Sequence, residues 1–105
     1  EKLGLDAQRL FDVSSTASGQ CWSLTTYCPV PGPVPTSPAN RDYAPGFAAA
    51  LMLKDMGLAI AAAGSTGADV SVAEKAASLY RDYADAGQAG KDFSGIINLI
   101  RDRAK

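Results

Sequence analysis

All six prolines of this chain fall between Pro29 and Pro45. A backbone with proline at that density cannot hold a regular helix, because each ring removes an N–H donor and obstructs the turn before it. Helical structure must therefore lie to either side. Strands are not an alternative, since β-branched residues are scattered and no segment alternates apolar and polar long enough for a half-buried strand. The expected class is all-α. With 105 residues, 47% hydrophobic and 20% charged, the chain has the size of one domain, residues 1–105.

Glu1-Lys2-Leu3-Gly4-Leu5-Asp6 has the form of a helix end, with Gly4 suited to a left-handed position and Asp6 able to cap a new helix. Such a start leads us to expect an upstream helix, and with it a further domain, outside this sequence. Ala7, Leu10, Phe11 and Val13 give a short amphipathic helix, broken by Ser14 to Gly19, and a second short helix or turn covers Gln20 to Tyr27. The proline-rich stretch from Cys28 to Pro45 reads either as a linker or as an ordered loop. Val30, Val34 and Tyr43 favour a loop packed on the domain surface.

Pro45-Gly46 opens the longest helical pattern, through Phe47, Leu51, Met52, Met56, Leu58 and Ile60 to about Ala63, where Gly64-Ser65-Thr66-Gly67 ends it. Apolar residues all round predict a buried central helix. Ser71 followed by Glu74 is a capping box, and it predicts a helix with Val72, Ala76, Leu79, Tyr80 and Tyr83 on its inner stripe. Gly87 to Gly90 breaks it. Phe93, Ile96, Ile97 and Ile100 then give a last amphipathic helix, with Asp92 near its start.

The composition excludes several chemistries. There is no His, which removes His-based triads, two-His metal sites and imidazole proton shuttles, and no metal site is expected. Ten Lys and Arg against eleven Asp and Glu leave no basic footprint for nucleic acid. Cys21 and Cys28 are too few for a disulfide framework and are expected as free thiols, which suits a cytoplasmic location. Phe47 to Ala63 is interrupted by Lys54 and Asp55, which argues against a membrane span. No phosphate-binding glycine turn occurs, because Gly64-Ser65-Thr66-Gly67 follows a helix and not a strand.

Lys54 and Asp55 are the only charged residues between Asp42 and Asp69, in the middle of a helix otherwise built for burial. An ammonium group there must be paired, lie on an exposed seam, or line a cavity that holds an anionic ligand. At about 100° per residue, Phe47, Leu51, Lys54 and Leu58 share one stripe, as one wall of a pocket would. Trp22 and Tyr27 lie near a polar turn that includes Ser18, Gln20, Ser23, Thr25 and Thr26. They read either as core or as the rim of a ligand site.

Ser18-Gly19-Gln20-Cys21-Trp22-Ser23, Tyr27-Cys28-Pro29-Val30-Pro31-Gly32, Tyr43-Ala44-Pro45-Gly46-Phe47, Leu53-Lys54-Asp55-Met56-Gly57-Leu58-Ala59 and Lys91-Asp92-Phe93-Ser94 together resemble the β-hydroxyacid dehydrogenases over essentially the whole chain. The resemblance implies the C-terminal helical domain of the 6-phosphogluconate dehydrogenase-like type, about five helices around a buried central helix. It implies that an N-terminal Rossmann domain, which binds most of the NAD, and a catalytic lysine lie upstream, so that no catalytic residue is in this chain. The implied cofactor contacts are Lys54 and Phe47, and the implied substrate contacts are Trp22, Tyr27 and Asp55. The implied reaction is oxidation of a small hydroxyacid by NAD, with 3-hydroxyisobutyrate giving methylmalonate semialdehyde in valine catabolism, by a homo-oligomer. One departure is Cys28, where many family members carry Asn before the proline. The alternatives are a related β-hydroxyacid dehydrogenase that acts on another small 3-hydroxyacid and, from the residues alone, a free-standing helical module that docks a partner protein.

Overall fold

The computed structural model describes residues 1–105 and is all-α, with no strand and only an isolated antiparallel bridge between Ala48 and Asp92. Its five helices are α1 (Ala7–Ser14), α2 (Trp22–Thr25), α3 (Ala49–Thr66), α4 (Ser71–Tyr83) and α5 (Ile96–Arg103). The chain forms two units, Glu1–Ala44 and Pro45–Lys105. No helix is long and apolar enough to cross a membrane.

In the first unit the local signals act as read. Gly4 takes a left-handed φ of 79°, and Asp6 caps α1 by accepting from the N–H groups of Gln8 and Arg9 at 2.9 and 3.2 Å. The proline-rich stretch is an ordered loop with its own small core of Cys28, Val34, Ser37, Pro38, Ala39 and Tyr43. Side chains supplement its backbone hydrogen bonds, because proline cannot donate. Asn40 donates to the Val34 carbonyl and the Ser37 hydroxyl at 2.9 and 3.1 Å and accepts from Gly32 N–H at 2.9 Å. The Tyr43 hydroxyl donates to the Pro29 carbonyl at 2.9 Å. Cys21 is exposed, Cys28 is buried, and both are free thiols.

The second unit is organised around the start of α3. Ala48 occupies the N-cap and has no side chain to cap with, so the first amides of the helix are satisfied from elsewhere. Ala49 N–H donates to the Lys91 carbonyl at 2.8 Å, and Ala50 N–H to the Ala89 carbonyl at 3.0 Å. The helix continues past Ala63, where the sequence pattern placed its end. Gly64 keeps a helical backbone, the Ser65 hydroxyl returns to the Ala62 carbonyl at 2.7 Å, and termination falls to Gly67 at φ 73°.

Three expectations are corrected here. First, α3 is not a buried central helix: although it packs against α4 and the 93–95 turn, only Ala49 and Ala63 are buried, and Leu51 and Leu58 are 47% and 63% exposed. Neighbours cover one side only, so an all-round apolar sequence leaves its other side bare. Second, Ser71 is the first residue of α4 rather than its cap, and its hydroxyl donates to Asp69 Oδ1 at 2.7 Å. Asp69 also accepts from Ser71 N–H at 3.0 Å, and these two bonds hold its carboxyl below the usual range. Third, Val72 is 85% exposed and not part of the inner stripe, while Ala77 and Tyr83 are buried.

Helix α4 ends in a wide turn, Ala84–Gln88, closed by Gly87 at φ 81°. Arg103 on α5 pairs with Asp82 on α4 at 2.6 Å. Within this unit Tyr80 donates to the Phe93 carbonyl at 3.3 Å. Burial, then the negative charge of Asp92, then Tyr83 push its phenol up to about 12. The unfolded phenol titrates near 10, so the unfolded chain gives up this proton first and the native state loses stability as pH rises from about 10 towards 12. A spectrophotometric titration should show one tyrosine ionising near the upper end of that window and its disappearance in Tyr80→Phe. An unchanged curve in that variant would refute the assignment.

Candidate functional site

The residues singled out from the sequence fall into two groups. Trp22 and Tyr27 belong to the first unit, and Phe47, Lys54 and Asp55 to the second. Trp22 opens α2 and Tyr27 follows it, so the short helix brings their rings face to face, with centroids 5.1 Å apart and planes 22° from parallel. Trp22 is 59% exposed, which decides between the two readings left open: it is a surface residue and not core. A large stacked aromatic pair at the surface is suited to covering a small ligand.

Lys54 and Asp55 are consecutive on α3, and Lys54 Nζ lies 3.7 Å from Asp55 Oδ1, with both side chains more than half exposed. The charge is therefore not buried within this chain. What needs explaining is the apolar surface on either side of it, since Leu51 and Leu58 on the same stripe are also exposed. A cation between bare leucines is suited to a ligand that presents both negative charge and apolar area.

Phe47 precedes α3, so it stands at the head of this stripe rather than on the helix. Its ring packs edge-on against Phe93, with centroids 6.0 Å apart and an interplanar angle of 72°, and the side chain is half-buried. Its position is fixed by Asp92, which the sequence showed only as a helix-start acid. Asp92 is fully buried. Its Oδ2 accepts from the N–H groups of Gly46 and Phe47 at 3.0 and 3.1 Å, and its Oδ1 accepts from Ser94 N–H and Ser94 Oγ at 3.0 and 2.6 Å. The Asp92-Phe93-Ser94 spacing signals the local half of this arrangement. Nothing local signals the half that reaches back to Gly46 and Phe47.

No group of three or more metal-ligating side chains comes together. A shallow hollow of about 370 Å³ is lined by Tyr83, Ala86, Gln88, Asn98, Leu99 and Asp102 and includes none of the residues above.

Residues 1–100 match a family model described as "NAD-binding of NADP-dependent 3-hydroxyisobutyrate dehydrogenase". The chain belongs to this family. Among its curated relatives, the "Probable 3-hydroxyisobutyrate dehydrogenase" of Mycobacterium bovis is 56% identical over 104 residues, 99% of this chain and 35% of that protein. The mitochondrial 3-hydroxyisobutyrate dehydrogenase of Drosophila melanogaster is 40% identical over 98 residues, 93% of this chain and 30% of that protein. A solved structure of the Mycobacterium tuberculosis 3-hydroxyisobutyrate dehydrogenase, described with L-serine, superposes with a TM-score of 0.90 at 55% identity, covering 95% of this chain and 34% of that one. The helical fold is thus that of a 3-hydroxyisobutyrate dehydrogenase domain, and the chain spans about a third of the length of the relatives it matches.

Proposed function

We propose that this chain is the helical C-terminal domain of an NAD-dependent oxidoreductase that converts 3-hydroxyisobutyrate to methylmalonate semialdehyde. The nucleotide fold and the catalytic lysine would be carried by the remainder of the longer protein. The observation that carries the reading is the exposed Lys54 ammonium set between exposed leucines on α3. Such a surface suits the cofactor, which joins phosphate charge to flat apolar rings. Lys54 would meet an anionic part of the cofactor, and Phe47, held at the head of the same stripe, would meet its ring end. NAD, when bound, supplies the hydride acceptor.

Asp55 would keep the ammonium charge locally balanced and contact the small hydroxyacid, and the exposed Trp22–Tyr27 pair of the first unit would cover such a ligand and exclude water. None of these groups is asked to make or break a bond. The share of relatives covered, about a third, supports the division of labour.

The test is the full-length gene product assayed with NAD and a panel of small hydroxyacids, together with Lys54→Ala. The exposed Lys54–Asp55 pair contributes little to folding, so the variant should unfold within about 0.5 kcal/mol of wild type. Its NAD dissociation constant should rise roughly tenfold, the effect of one charge-assisted contact. Unaltered NAD affinity would remove Lys54 from the site, and a wild-type protein inactive on every hydroxyacid would overturn the function.

A further inference from the structure

We propose that Asp92 is a positioning residue that sets the cofactor-facing stripe of α3, an inference that rests on the function proposed above. Asp92 Oδ2 takes the Gly46 and Phe47 N–H groups, while its Oδ1 takes the Ser94 N–H and hydroxyl, so both carboxylate oxygens are fully used. The Phe93 N–H returns to the Phe47 carbonyl at 2.9 Å, closing a loop between the two segments. Phe47 is thereby fixed from both its amide and its carbonyl before the helix begins.

A helix transmits direction as a nearly rigid rod. Lys54 lies five residues beyond Ala49, the first residue of α3, about 7.5 Å along the axis, so a change of about 8° at the head of α3 moves its Cα by roughly 1 Å. Displacements of that size cost binding or catalysis substantially when a contact depends on fixed geometry. Ala48, at the N-cap, supplies no restraint of its own. Beside the backbone bonds from Ala49 to Lys91 and from Ala50 to Ala89, the side-chain restraint comes from a residue more than forty positions away in sequence that has no exposed surface and cannot touch a ligand.

Asparagine at position 92 is the discriminating change. It keeps the size of the side chain, but its amide nitrogen is a donor and must face either the Gly46 and Phe47 N–H groups or the Ser94 N–H. One side of the clamp therefore opens while the core remains filled. In the full-length protein, Asp92→Asn should raise the NAD dissociation constant roughly tenfold, with a smaller change in kcat at saturating NAD. Ala77→Gly, at a buried site on α4, serves as a comparison that loosens the same unit without touching the clamp.

If Ala77→Gly, compared at equal loss of melting temperature, weakens NAD binding as much as Asp92→Asn, the effect is general loosening and the positioning role is overturned. A second measurement needs no variant. Amide exchange of the wild-type protein should show Gly46 and Phe47 protected, and exchange at the rate of open loop amides would equally overturn the role. Wild-type protein that binds no NAD would sink the functional reading and this role with it. Wild-type binding with an unaffected Asp92→Asn variant would sink this role alone.

Discussion

Asp92→Ala is expected to destabilise the second unit by about 3–5 kcal/mol. The substitution removes every acceptor from a fully buried position and leaves three backbone N–H groups and one hydroxyl without their partner. A buried donor left unsatisfied costs about 1–3 kcal/mol. The four costs do not simply add, because Gly46 is an exposed residue and water can replace the carboxylate at its amide once the side chain is gone, whereas Ser94 is buried. The Phe93 N–H to Phe47 carbonyl bond and the Ala49 N–H to Lys91 carbonyl bond survive and limit the damage. Urea unfolding followed by far-UV circular dichroism reports mainly on the longer helices, all of which lie in this unit. A loss below about 1 kcal/mol would show that the clamp adds little to the fold.

The same residue shows where reading the sequence reached its limit. Signals that act through the nearest few residues were legible: Asp6 caps α1, Gly4 takes a left-handed conformation, and six clustered prolines make an irregular loop. The all-α class follows from the same local patterning. The capping box at Ser71 was misplaced because Asp69, two residues earlier, competes for the serine hydroxyl, so the serine enters the helix instead of capping it. Gly64 does not stop α3, because it keeps a helical backbone and the left-handed turn that ends the helix falls at Gly67.

Quantities set by long-range packing were not legible in this way. Apolar periodicity shows that a face avoids water but not which surface covers it, so α3 read as buried all round although Leu51 and Leu58 are exposed. For the same reason the sequence leaves open whether Lys54 is paired, on an exposed seam or in a cavity, and whether Trp22 is core or rim. Of the candidate site, the Phe47–Lys54 stripe follows from helical spacing, whereas the roles proposed for Trp22, Tyr27 and Asp55 come from the family resemblance. The clamp that holds Phe47 was not legible, because hydrogen bonds from Asp92 to residues 46 and 47 leave no periodic trace in the sequence.

Truncation of Tyr43 is the change with the largest expected effect in the first unit. Its side chain is buried, its hydroxyl holds the Pro29 carbonyl at 2.9 Å, and its N–H donates to the Pro38 carbonyl at 3.0 Å. It is thus one of the few residues that tie both arms of a proline-rich loop short of ordinary backbone donors. It also stands at φ 54°, directly after Asp42 at φ 50°, two successive left-handed residues that are not glycine. Such a backbone costs roughly 1–2 kcal/mol per residue for an L-amino acid, and the packed ring must offset it. Tyr43→Phe should cost about 1 kcal/mol, the value of one hydrogen bond. Tyr43→Ala should cost about 3–5 kcal/mol, because the cavity is added while the strained φ is kept. Tyr43→Gly should be less destabilising than the alanine variant by about 1 kcal/mol, since it loses the same ring but is at ease at positive φ. Trp22 is the sole tryptophan and lies in this unit, so its fluorescence during urea unfolding separates the three variants. Equal losses for alanine and glycine would mean that the left-handed backbone carries no strain for the ring to offset.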